Sequence, residues 1–190
     1  ANRIKLKEYG LEKETGSMNR ELIRLSLEAA EGRALVAADI TMTGEQLAPM
    51  GTMDFETLIS VYKEQITAVA QAGADLIVVE TMMSLQESRA ALIAAGEVCD
   101  LPVMVTMTFE SDGKTLYGTD ATTAAVVLES LGACAIGANC STGPDKMMPI
   151  ISEIAEAVSI PVIAKPNAGL PAINEHGETV YNMGEEDFAA

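Results

Sequence analysis

The chain has 190 residues, enough for one domain with a real core. Hydrophobic residues make up 48% of it, a globular rather than a disordered composition. Its formal charge of −16 repels phosphate backbones and argues against nucleic-acid binding.

No apolar run approaches the ~20 residues of a membrane helix, and the charged opening ANRIKLKEYG lacks the apolar centre of a signal peptide. Three cysteines, Cys99, Cys134 and Cys140, are too few and too odd for a disulfide scaffold. They point to a reducing, cytoplasmic compartment. A single histidine, His176, excludes a His-rich zinc site and leaves a Ser-His-Asp triad one candidate base.

In chain order, a helical stripe on Leu22, Leu25 and Ala29 precedes the first strand-like run, ALVAAD (34–39). Asp54 caps a predicted helix carrying Phe55, Leu58, Ile59, Tyr62, Ile66 and Val69, and Gly73 stops it. DLIVVE (75–80) is the second strand. Ser84 with Glu87 reads as a capping box for a helix ending near Gly96. PVMVTMTF (102–109) is the third strand. Asp120 caps the next helix and Gly132 lies past its end. AIGANC (135–140) is the fourth strand, Pro144 opens another helix, and PVIAKPN (161–167) is the fifth strand before a tail.

Short, β-branched, nearly continuous apolar runs are the mark of parallel strands covered on both faces. Repeating β/α units of ~30 residues fit a (β/α)8 barrel, incomplete with five strands. A doubly wound sheet is the alternative, and no G-x-G-x-x-G turn follows any strand.

In a barrel the C-terminal strand ends build the active site. The polar residues there are Asp39, Glu80, Thr106, Thr108, Glu110, Asn139, Cys140, Lys165 and Asn167. Glu80 follows four apolar residues, where an unpaired carboxylate is costly. It either binds a ligand ammonium, acts as acid or base, or bonds the next helix's N-terminus. Asp39 is open between function and structure. Lys165 suits a Schiff base as in aldolase-type barrels, or a structural ion pair, for which Glu110 is a partner. Glu80 and Glu110 together suggest a glycosidase pair, but aromatics are only 4% with no Trp, a poor sugar platform. Cys99 and Cys134 read as small buried hydrophobes. Cys140, at a strand end before the STGP turn, stays open between core filler, nucleophile and metal ligand.

The motifs GANCSTGP and PNAGLP, with the ANRIKLKEYGL opening, the TGEQLAPMG loop (43–51), GADLIVVETM and VTMTF, resemble the homocysteine S-methyltransferase family. The similarity is greater to the homocysteine-binding domain of the cobalamin-dependent methionine synthases. It implies a (β/α)8 barrel and zinc held by three cysteines. Cys140 matches one; the other two, an adjacent pair in a Gly-Gly-Cys-Cys segment on the last strand, do not occur in these residues. By the same resemblance, residues 1–190 hold the third to seventh strands and lack the first two and the last. Glu80 and Asn139 are expected to bind the substrate, Glu80 through the homocysteine ammonium and Asn139 beside the zinc-bearing Cys140. The methyl donor is expected to be methylcobalamin on a separate domain, or betaine or a methylsulfonium in a related branch. Such a segment alone is expected to be inactive, with open sheet edges that favour oligomerisation.

Zinc deprotonates a bound thiol. A free thiol of pKa ~8.5 is about 3% ionised at neutral pH, so ionisation supplies at most about 30-fold, or about 2 kcal/mol. Most of the acceleration then falls to alignment of sulfur with the methyl donor.

Overall fold

The computed structural model describes every residue except Leu170, Asn182 and Ala190, so Leu170 of the PNAGLP motif lies outside the described residues. Five strands form one parallel sheet in the order β1-β2-β3-β4-β5. They are β1 (Ala37–Ile40), β2 (Leu76–Met82), β3 (Val103–Met107), β4 (Ala135–Asn139) and β5 (Val162–Lys165). Neighbours in space are neighbours in sequence. Right-handed crossovers without a reversal of order put every connecting helix on one face. That is an arc of a (β/α) barrel, since a doubly wound sheet reverses its strand order and carries helices on both faces.

The connecting helices are α3 (Phe55–Gln71), α4 (Leu85–Val98), α5 (Ala121–Ser130) and α6 (Pro144–Ala157). Short α1 (Arg3–Lys7) and longer α2 (Thr15–Ala30) precede β1. Local chemistry sets the helix starts. Asp54 accepts from the Thr57 amide at 2.8 Å, and Asp120 from the Thr123 amide at 2.7 Å. Pro144 occupies the first turn of α6. None of the helices is long and apolar enough to cross a membrane among the described residues.

Alternation along the strands divides the sheet. Ala38, Ile40, Ile77, Val79, Val105, Met107, Ile136 and Ala138 pack with the helices in one buried cluster. The alternate positions, including Asp39, Glu80, Thr106, Gly137, Asn139 and Lys165, lie on the concave face.

Several expectations shift. Leu22, Leu25 and Ala29 are exposed, and α2 buries Asn19 and Ile23 instead. The side of α2 turned to α3 carries this second stripe, and the stronger apolar stripe is left on the outside. β1 begins at Ala37, so Ala34 and the exposed Leu35 precede it. The α4 helix runs two residues past Gly96. Only half of its capping box forms. Ser84 accepts from the Glu87 amide at 3.3 Å, while the Glu87 carboxylate turns away to Thr43 and Tyr62. In the tail, β6 (Pro171–Ile173) and β7 (Thr179–Tyr181) form an antiparallel hairpin, and α7 (Glu185–Ala189) follows. The turn is built on Asn174, whose carboxamide oxygen accepts from the His176 and Glu178 amides, and on Gly177 at φ +77°.

Gly137 lies where β4 meets β5 most tightly. A Cβ there would stand 1.8 Å from the Ile163 carbonyl oxygen. Gly137→Ala is therefore expected to lower stability by about 2 kcal/mol or more. Urea denaturation checks this; an unchanged midpoint would show that the β4–β5 approach is not tight.

Candidate active site

The β4 strand ends in a strained turn. Cys140 and Ser141 have φ of +59° and +62°, a left-handed conformation that non-glycine residues enter at a cost. The Cys140 amide still donates to the Lys165 carbonyl at 3.1 Å, so the β4–β5 ladder continues through it. The Thr142 amide then closes on the Cys140 carbonyl at 2.7 Å, and the Asn167 amide donates to the Thr142 carbonyl at 3.0 Å. The GANC and PNAG motifs are thus one hydrogen-bonded corner. The thiol of Cys140 is half-buried in it.

Asn139, only 1% exposed, holds that corner to β2. Its Nδ2 donates to Thr81 Oγ1 at 2.7 Å and to Cys140 Sγ at 3.2 Å. Its Oδ1 accepts from the Thr81 amide at 3.1 Å. Both amide hydrogens are therefore spent within the protein, one of them on the thiol. Thr108 Oγ1 donates to the Asn139 carbonyl at 3.1 Å, bringing in the end of β3. Thr81 itself has φ +60°, unusual for a β-branched residue. It belongs to a register shift between Val79 and Met82. The extra residue returns Met82 to the helix-facing core while Glu80 stays on the concave face.

Glu80 does not bond a helix N-terminus. Its Oε2 pairs with Lys165 Nζ at 2.5 Å, across a sheet in which β3 and β4 lie between them. Lys165 is thus ion-paired as one sequence reading has it, but to Glu80 rather than Glu110. Glu110 is exposed on the β3–α5 loop, where its amide donates to the Lys114 carbonyl at 2.7 Å. Asp39 lies close enough to feel both charges. Burial and the Glu80 carboxylate push its pKa above the ordinary value, while Lys165 and the N-terminal amine pull less strongly the other way. The Thr106 hydroxyl, fully buried on β3, has no hydrogen-bond partner among the described residues.

A second polar anchor shapes the rim. Glu87, 5% exposed, accepts from the Thr43 amide and hydroxyl, each at 2.7 Å, and from the Tyr62 hydroxyl at 2.9 Å. Burial, then the neighbouring carboxylate, push the Tyr62 pKa far up, so it stays a donor. This ties the 43–51 loop to α3 and α4 and leaves a cavity of about 350 Å³ lined by Gln46, Met50, Gln86 and Tyr117 among others. The sequence signals do not reveal Thr81, the hydroxyl contact of the predicted core residue Tyr62, or the role of Glu87. Only the Glu-Thr step after DLIVV hinted at Thr81.

One soft donor stands at this corner. Cys134 precedes β4 and Cys140 follows it, so the strand separates the two thiols. Cys99 follows α4, with its amide bonded to the Ala95 carbonyl. No group of three His, Cys, Asp or Glu side chains able to hold a metal occurs among the described residues. The donor set fits one position of a thiolate-rich zinc site, with an amide hydrogen ready to stabilise the sulfur, and does not fill four.

A parallel arc whose strand ends carry a thiol, an acid and a lysine is the framework of a (β/α)-barrel enzyme. The homocysteine S-methyltransferase family model matches residues 1–190, and the chain belongs to that family. It is 32% identical to the methionine synthase of Mycobacterium leprae (strain TN) over 151 residues, which is 77% of this chain and 12% of that one. It is also 32% identical over 139 residues to the methionine synthase of Mycobacterium tuberculosis (strain ATCC 25618 / H37Rv), 70% of this chain and 12% of that one. Among solved structures, it superposes on the metallated form of the homocysteine methyltransferase MmuM from Escherichia coli with a TM-score of 0.76 and 19% identity. That match covers 89% of this chain and 64% of MmuM. The apo form gives a TM-score of 0.67 at 20% identity, with 81% and 62% covered. The chain therefore spans about an eighth of each methionine synthase and under two thirds of MmuM.

Asn139→Leu is expected to strand the Thr81 amide and cost about 2 to 3 kcal/mol. Thr81→Ser keeps the hydroxyl and is expected to cost under about 1 kcal/mol. Chemical denaturation of both variants checks the contrast; equal losses would mean the Asn139–Thr81 link carries little.

Proposed function

We propose that this chain is the homocysteine-binding part of a zinc-dependent methyltransferase barrel, with Cys140 as one of three thiolate ligands. The observation that carries the reading is the fixed Cys140 thiol at a strand end, with Asn139 Nδ2 3.2 Å from its sulfur and Glu80 on the adjoining face. Asn139 aims and stabilises the sulfur; it acts beside the metal ligand by holding it. Glu80 takes the substrate ammonium. The strained 140–141 turn presents the thiol at the mouth, where a methyl donor has access.

Bound zinc would supply one thing, the ionisation of the substrate thiol at neutral pH. The two further cysteine ligands would come from outside residues 1–190, as would the three remaining strands of an eight-stranded barrel. The product is methionine. The donor is methylcobalamin on another domain, the cobalamin being loaded from methyltetrahydrofolate. Betaine or a methylsulfonium donor is the second reading. Sparse free cysteines suit a cytoplasmic setting. The outer edges of β1 and β5 are the surfaces for the remaining strands or, in their place, a second copy.

Residues 1–190 alone are expected to retain far less than one equivalent of zinc after dialysis and to transfer no methyl group. Stoichiometric, tightly held zinc would contradict the shared-ligand reading. In a protein with the complete ligand set, Cys140→Ala is expected to abolish both zinc retention and methyl transfer, and metal analysis with a methionine assay checks it.

A further inference from the structure

The Glu80–Lys165 pair has features that a structural bridge does not need. It joins β2 to β5, which are not neighbours, so both side chains reach over the concave face past β3 and β4. The side chains are 26% and 49% exposed, so water screens the pair and little holds it closed. The backbone of Lys165 is fixed beside the thiol, because its carbonyl accepts from the Cys140 amide at 3.1 Å. The flexible four-carbon stem can therefore swing about an anchor next to the Cys140 sulfur. Asp39 shares this face, and both Lys165 and the N-terminal amine act on its carboxylate.

We propose that Lys165 is the residue that recognises the α-carboxylate of the amino-acid substrate. Binding exchanges the Glu80–Lys165 pair for two new ones. The substrate ammonium takes Glu80, and the released Lys165 ammonium takes the substrate carboxylate. The lysine thus makes the site selective for a zwitterionic thiol over a simple aminothiol. No covalent bond forms or breaks in this exchange. The inference rests on the reading of Glu80 as the ammonium site.

The test compares three thiols by titration calorimetry on the zinc-loaded full protein, in wild type, Lys165→Met and Lys165→Arg. The thiols are L-homocysteine, 3-aminopropane-1-thiol, which lacks the carboxylate, and 4-sulfanylbutanoate, which lacks the ammonium. Lys165→Met is expected to weaken L-homocysteine and 4-sulfanylbutanoate by about tenfold or more, the loss of one charge-assisted contact. The same variant is expected to bind 3-aminopropane-1-thiol as well as wild type or better, which also shows that it is folded. Lys165→Arg is expected to restore L-homocysteine to within about threefold. If Lys165→Met binds L-homocysteine unchanged or more tightly, Lys165 only competes for Glu80 and the proposal falls, with the functional reading intact. If wild type binds none of the three thiols, the functional reading falls and takes this role with it.

Discussion

The carboxamide of Asn139 is the interaction on which the arrangement of the strand ends depends. It accepts from one backbone amide of β2 and donates to a hydroxyl of β2 and to the thiol of the next residue. All this happens at 1% exposure, where an unmade hydrogen bond is expensive. The link explains why two strained places coexist. Thr81 on β2 and Cys140 with Ser141 after β4 sit in left-handed backbone, and the amide bridges them. Strain of this kind persists only where surrounding bonds over-determine it.

From that corner the rest of the concave face follows. The register shift that places Thr81 under the Asn139 amide leaves Glu80 facing inward, within reach of Lys165 on β5. Gly137, two residues before Asn139, lets β5 approach closely enough for the ladder to continue through the Cys140 amide. On the other face, consecutive parallel strands and one-sided helices form the apolar cluster that keeps the arc rigid. A group of three charges and a thiol is thus held by backbone geometry rather than by flexible loops.

Much of this was legible in the residues. The five strands, the caps Asp54 and Asp120, Pro144 and the barrel order follow from apolar runs and capping chemistry, because those signals are local. The identity of the strand-end residues was also legible, since position at a strand end is a matter of counting. What lay beyond the sequence was pairing. Lys165 meets Glu80 rather than Glu110 because the arc curves, and curvature has no local signature. Glu87 leaves its own helix cap for Thr43 and Tyr62 because a buried carboxylate gains more from three donors than from one exposed amide. The face of α2 is not set by its sequence, because periodicity gives a stripe but not the side on which its partner lies. The hairpin at 171–181 carries the turn signal Asn-Glu-His-Gly, but its strands of three residues each are too short to show alternation.

The central claim is that the β2, β4 and β5 strand ends form one amino-acid site centred on Asn139 and Cys140. The most direct measurement is a titration of isotope-labelled protein with L-homocysteine in the presence of zinc, read by amide NMR. The account predicts that the largest shifts fall on Glu80, Thr81, Asn139, Cys140, Lys165 and Asn167. Shifts confined to the cavity between Gln46 and Tyr117, with the strand ends unmoved, would contradict it.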